Sequence, residues 1–130
     1  MILKAGIGIL SVMLMFGAAN AVAGDSAPST ITFVDFADSN GDGNSDYIVG
    51  KVASPNKKCI SGRTVEIFRR PPGGGDFRLV DRDQTSKNGF WAGGGFENIN
   101  AQNGKVTVER KVIPSPGGQL VCQPDVETFD

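Results

Sequence analysis

Thr64-Val65-Glu66-Ile67-Phe68-Arg69-Arg70 decides the fold. Val65 and Ile67 point one way, and Thr64, Glu66 and Phe68 the other. That period of two marks a strand with one face buried and one face wet. Lys105 to Val112 repeats it, with Val106 and Val108 inward and Lys105, Thr107 and Glu109 outward. Working outward from these two runs, similar segments occur at Thr30–Ala37, Tyr47–Ala53, Phe77–Arg82, Phe90–Ala92, Gln119–Gln123 and Val126–Phe129. Phe77 and Leu79 share a face, and Gly50 inside its run signals a bulge or a close backbone approach. Between the runs lie turn formers: Pro71 to Asp76, Lys87-Asn88-Gly89, Gly93-Gly94-Gly95, Asn103-Gly104 and Pro114 to Gly118. Asn-Gly is a strong hairpin signal. No helical period competes.

Seven or eight short strands with turns this closely spaced predict an all-β domain. Half-buried strands must cover their apolar face with a second sheet, so the expected form is a two-sheet sandwich of about seven strands. Its core is expected from Phe33, Ile48, Val52, Val65, Ile67, Leu79, Phe90, Trp91, Val106, Val108 and Leu120.

The 130 residues contain no His. That excludes triads with a His base and His-ligated metal centres. Two Cys cannot complete a four-thiolate site. The formal net charge of −1 draws in neither nucleic acid nor an anionic membrane. This number conceals an uneven distribution. Segment 24–46 has five Asp and no base, segment 47–111 carries +6, and segment 112–130 carries −3. The basic middle reads chiefly as the solvent face of strands, or as a ligand-facing surface.

Residues 1–23 read as a secretory signal peptide, with Lys4, an apolar run from Ala5 to Ala19, and Ala21-Val22-Ala23 as the cleavage site. The exported chain then starts at Gly24, in an oxidising compartment, extracellular or periplasmic. There Cys59 and Cys122 have one possible pairing, a structural disulfide. Residues 24–46 form an acidic strand and loop and 47–130 the sandwich, together one unit and a monomer without a membrane span.

From Gly50 onward the chain resembles the exported transthyretin-like or carboxypeptidase-regulatory-like modules. The residues are Gly50-Lys51-Val52-Ala53-Ser54, Cys59, Gly62 to Arg69, Val80 to Thr85, Asn88-Gly89-Phe90-Trp91 and Cys122. The resemblance implies an Ig-like or prealbumin-like sandwich serving as a non-catalytic binding or spacer domain. On this reading the module is expected to stand alone, where most such modules are attached to an enzyme or receptor domain.

Asp38-Ser39-Asn40-Gly41-Asp42-Gly43-Asn44-Ser45-Asp46 resembles the calcium loops of EF-hands, dockerins and thrombospondin type 3 repeats. Ca²⁺ takes six to eight oxygens, which alternate residues of a tight loop can supply. Asp38, Asn40 and Asp42 are the side-chain ligands of that reading, Asn44 offers its carbonyl, and Asp46 binds directly or through water. Val49 stands where an EF-hand has its bidentate Glu, which places affinity at the weak, extracellular end. The same residues also make an ordinary turn between strands.

Asp81 and Asp83 share a strand face, as a carboxylate-dependent hydrolase would need, or form a solvated turn. Trp91 is a core residue or joins Phe90, Arg69 and Arg70 in a sugar- or peptide-binding face. The expected function is a secreted, non-catalytic structural or binding module with a protein or glycan partner and no nucleic acid. The alternatives are a small secreted inhibitor or effector using loop 71–76 or 93–95, and a hydrolase.

Overall fold

The computed structural model describes residues 24–99 and 102–129. The leader read at 1–23 lies outside them. The chain is all-β. Its strands are β1 (Asp25–Ala27), β2 (Thr30–Ala37), β3 (Tyr47–Ala53), β4 (Thr64–Arg70), β5 (Arg78–Gln84), β6 (Phe90–Gly93), β7 (Asn103–Val108), β8 (Lys111–Ser115), β9 (Gly118–Cys122) and β10 (Asp125–Phe129). A 3-10 turn at Lys57–Cys59 precedes β4. Among the described residues there are thus ten strands rather than about seven. The Lys105–Val112 run breaks at Glu109-Arg110 into β7 and β8, and three-residue β1 carries too little pattern to read.

The strands form three sheets, ordered β10-β7-β4-β5, β2-β3-β6 and β1-β9-β8. Among the described residues two compact units result: 27–99 and 102–111 with 122–129, and a smaller one of 112–121 with 24–26. In the larger unit the first two sheets face each other. Val65, Ile67, Val106 and Val108 from one meet Ile31, Ile48, Val52 and Trp91 from the other. Phe96 and Ile99, from the segment after β6, complete this core. Leu120 is buried too, in the smaller unit.

Two expected core residues are not core. Leu79 is 46% exposed and Phe90 is 42% exposed. For Leu79 the cause is a register shift between Ile67 and Phe68, where Asp81 pairs with Ile67 but Leu79 pairs with Phe68. The bulge flips the face on which later side chains fall. For Phe90 the cause is alternation itself, because neighbouring strand residues cannot both point inward and Trp91 does. Phe33 is only half-buried but packs on the core beside Trp91 and Phe129. Asn103-Gly104 is no hairpin turn: it begins β7, pairing with Arg70 and Arg69.

Two glycines explain how large rings fit. Gly50 lies opposite Trp91 in the β3–β6 pair. A Cβ on Gly50 would sit 2.0 Å from the indole and 2.5 Å from the Thr32 carbonyl oxygen. Gly104 stands in the same relation to Phe129, its partner on β10. Gly50→Ala is therefore expected to cost about 2–3 kcal/mol, by forcing the ring off its seat. Urea unfolding followed by Trp91 fluorescence checks this. An unchanged midpoint would mean that the indole does not rest there.

Candidate functional site

The acidic loop joins β2 to β3, closed at its base by Asp46 N–H donating to the Ala37 carbonyl at 2.9 Å. Its carboxylates are engaged with the loop's own backbone. Asp38 accepts from the Gly41 amide at 2.8 Å, Asp42 at 3.2 Å and Gly43 at 2.7 Å. Asn40 Oδ1 accepts from Asp42, Asp42 from Asn44, and Asp46 from the Ser39 amide and hydroxyl. Gly41 and Gly43 have φ of 77° and 88°, a region open to glycine.

The Gly43 amide, followed by the other backbone donors, holds the Asp38 carboxyl below its ordinary value of 3.8. Such a group favours the folded loop above its unfolded value, and the contribution is lost as pH falls through the folded one. Among the described residues no three acidic or thiol side chains converge as a metal-binding group. Ca²⁺ would have to draw Asp38, Asn40, Asp42 and Asp46 away from these amides, with the Asn44 carbonyl beside them.

Asp81 and Asp83 do share a face, and it points to the edge of the facing sheet. Asp83 accepts from the Ala92 amide at 2.9 Å, and Asp81 from the Gly94 amide at 3.0 Å. Each uses its other oxygen on the next residue's amide. β6 is an edge of its sheet and β5 an edge of the facing one. The aspartates thus satisfy backbone donors that no strand pairs. The opposite corner repeats the device, with Asp125 on β10 accepting from the Ile31 amide of β2 at 2.8 Å. These carboxylates act as structural clasps between facing sheet edges.

Arg63 is fully buried, which pattern reading misses by treating the basic residues as solvent-facing. Its Nη1 donates to Ser29 Oγ and the Cys59 carbonyl, each at 2.8 Å. Nη2 donates to the Glu109 and Gln123 carbonyls at 2.8 and 3.0 Å. Only Nε lacks an acceptor. Burial lowers its pKa from the ordinary guanidinium value. A planar fork meeting four neutral oxygens makes Arg63 a hub, one that Lys could not replicate. Its nearness to Cys59 in the chain is the one local sign of this role. Cys59 itself is bonded to Cys122, with Cα atoms 5.4 Å apart.

Two surface grooves remain. One, of about 620 Å³, lies at the 71–76 loop between Arg69, Arg78, Gln102, Asp76 and Glu97, so its charge is mixed. Gly73, Gly74 and Gly75 all have positive φ there. Nearby, Lys105 lies over the rings of Phe68 and Phe77, and Arg70 over that of Phe77. The second groove, of about 740 Å³, lies between β3, the 54–61 loop and the 87–90 turn. Trp91 is buried as the core reading expects, so the alternative face of Trp91, Phe90, Arg69 and Arg70 does not form. Phe90 lines the second groove and Arg69 the first.

Among the described residues no helix is long and apolar enough to cross a membrane. No family model matches the chain, and searches of curated proteins and of solved structures likewise find no match.

Proposed function

We propose that this chain is an exported, non-catalytic β-sandwich module of the transthyretin-like kind, acting by contact with a protein or glycan. The observation that supports it most is how its polar groups are spent. Asp81, Asp83 and Asp125 bond backbone amides. Lysines and exposed Phe90 meanwhile line an open groove. A surface rich in cations and an aromatic ring, beside carboxylates already engaged, favours recognition over acid–base chemistry. The Cys59–Cys122 disulfide fits the export that the leader implies.

Capture from culture medium with the purified protein tests this reading, alongside a panel of hydrolase substrates. A stable partner with no turnover supports it, and turnover of any substrate overturns it.

Ca²⁺ enters the proposal as a stabilising ion at loop 38–46. Its support is the spacing of Asp38, Asn40, Asp42 and Asp46 in a turn that is already folded. Titration calorimetry is expected to show millimolar binding that Asp42→Ala removes. No heat and no melting shift would strike calcium from the reading and leave the contact module standing.

A further inference from the structure

The groove between β3 and the 87–90 turn differs in charge from the mixed groove at the 71–76 loop. Lys51, Lys57 and Lys87 line it, all exposed, and no Asp or Glu does. Among the described residues the only ion pair is Arg82 with Glu66, so none of these three ammonium groups has a carboxylate partner. Three cations around one groove without an answering acid make it favourable to an anion.

The groove is also firmly built. Lys57 sits on the 3-10 turn that ends at Cys59, capped by Asn56 and tied down by the disulfide. The Thr85 hydroxyl donates to the Ile60 carbonyl at 2.6 Å, holding the loop's far end. Lys87 lies on a tight turn closed by Gly89 N–H to Ser86 and by Ser86 N–H to Phe90, each at 2.9 Å. The Val52 amide donates to the Gly89 carbonyl, joining that turn to β3. Gly89 is required here, with φ of +89° and a would-be Cβ 2.4 Å from the Val52 carbonyl oxygen. Positions fixed in this way lose little freedom when a ligand binds.

Phe90 supplies the second element. It faces solvent because Trp91 takes the inward position, and Lys51, its register partner on β3, lies 5.3 Å from the ring centroid. An exposed ring with a cation over it joins an apolar surface to a charge. Ser54, Ser61 and Asn88 add groups that both donate and accept hydrogen bonds. A pyranose with an acid substituent matches all three: its C–H face on the ring, its hydroxyls on the amide and serines, its acid on the lysines.

We infer that this groove binds an acidic polysaccharide, a sugar chain bearing carboxylate or sulfate groups. The inference rests on the contact-module reading and gives it a ligand class.

The test is binding of the protein to four immobilised probes: polygalacturonate, dextran sulfate, neutral dextran and poly-glutamate. One or both acidic polysaccharides are expected to bind, and the stronger of the two identifies the acid group. Dextran is expected not to bind. Lys57→Ala with Lys87→Ala should weaken binding about tenfold or more, as should Phe90→Ala. Both variants change exposed residues, and unchanged thermal melting confirms that they fold. Binding of neither polysaccharide overturns the inference. So does poly-glutamate binding as tightly as the polysaccharide with no dependence on Phe90, because the groove would then sense charge alone. If a polysaccharide binds and is shortened, the ligand class stands and the non-catalytic reading falls. If no polysaccharide binds but another face captures a protein, the reverse holds.

Discussion

Arg63→Met is expected to lower the free energy of unfolding by about 3 kcal/mol or more. Met keeps most of the apolar stem, so the loss measures the guanidinium and not a cavity. The fork serves Ser29, Cys59, Glu109 and Gln123, from four separate stretches of the larger unit. Removing it leaves the Ser29 and Cys59 acceptors without that donor in a buried site, and the Glu109 and Gln123 carbonyls in a part-buried one. Each hydrogen bond from a charged donor is worth about 1.5–3 kcal/mol, and relief from burying a cation offsets part of the sum. Arg63→Lys should recover less than half of the loss, because a single ammonium cannot span four oxygens. Urea denaturation with the disulfide intact measures both variants. Midpoints indistinguishable from the parent protein would refute the hub.

Cys59→Ser with Cys122→Ser carries the other large effect, about 4 kcal/mol from the chain entropy released when a loop of this length opens. The cysteines are 63 positions apart. The two predictions are coupled through geometry. Arg63 bonds the carbonyl of Cys59 itself and that of Gln123, next to Cys122. It is a non-covalent tie between the segments that the disulfide joins. A double-mutant cycle should therefore depart from additivity by more than about 0.5 kcal/mol. An identical midpoint with and without reductant would contradict the first claim, and strict additivity the second.

The alternating strands are legible in the residues alone, and the reason is physical. Val65, Ile67, Val106 and Val108 are branched residues on a strict period of two, and all four are buried. The strands Thr30–Ala37, Tyr47–Ala53 and Thr64–Arg70 begin and end where the pattern puts them. Legibility fails where the period is interrupted. The bulge near Val80 sends Leu79 outward, and no local residue announces it. Phe96 and Ile99 are buried from a segment with no period at all.

Charged residues are the least legible. Arg63 looks like any other base in a basic segment, and Asp81 and Asp83 look like a solvated turn. Their roles depend on backbone groups distant in sequence, and nothing in their own neighbourhood encodes those partners. The groove lysines are legible as charge but not as a group, since the β3, 54–61 and 87–90 segments meet only on folding.

The aspartate clasps have a consequence for life at high concentration. A sheet edge with open amides is a template on which a strand from another molecule can add, and repeated addition leads to fibres. A newcomer approaching β6 must first displace Asp83 from Ala92 and Asp81 from Gly94. On the opposite corner it must displace Asp125 from Ile31. These blockers are tethered, so dilution does not remove them, and an apolar strand docking over them would have to strip water from their carboxylates. Three short side chains thus guard amides on two sheet edges without the sandwich closing into a barrel.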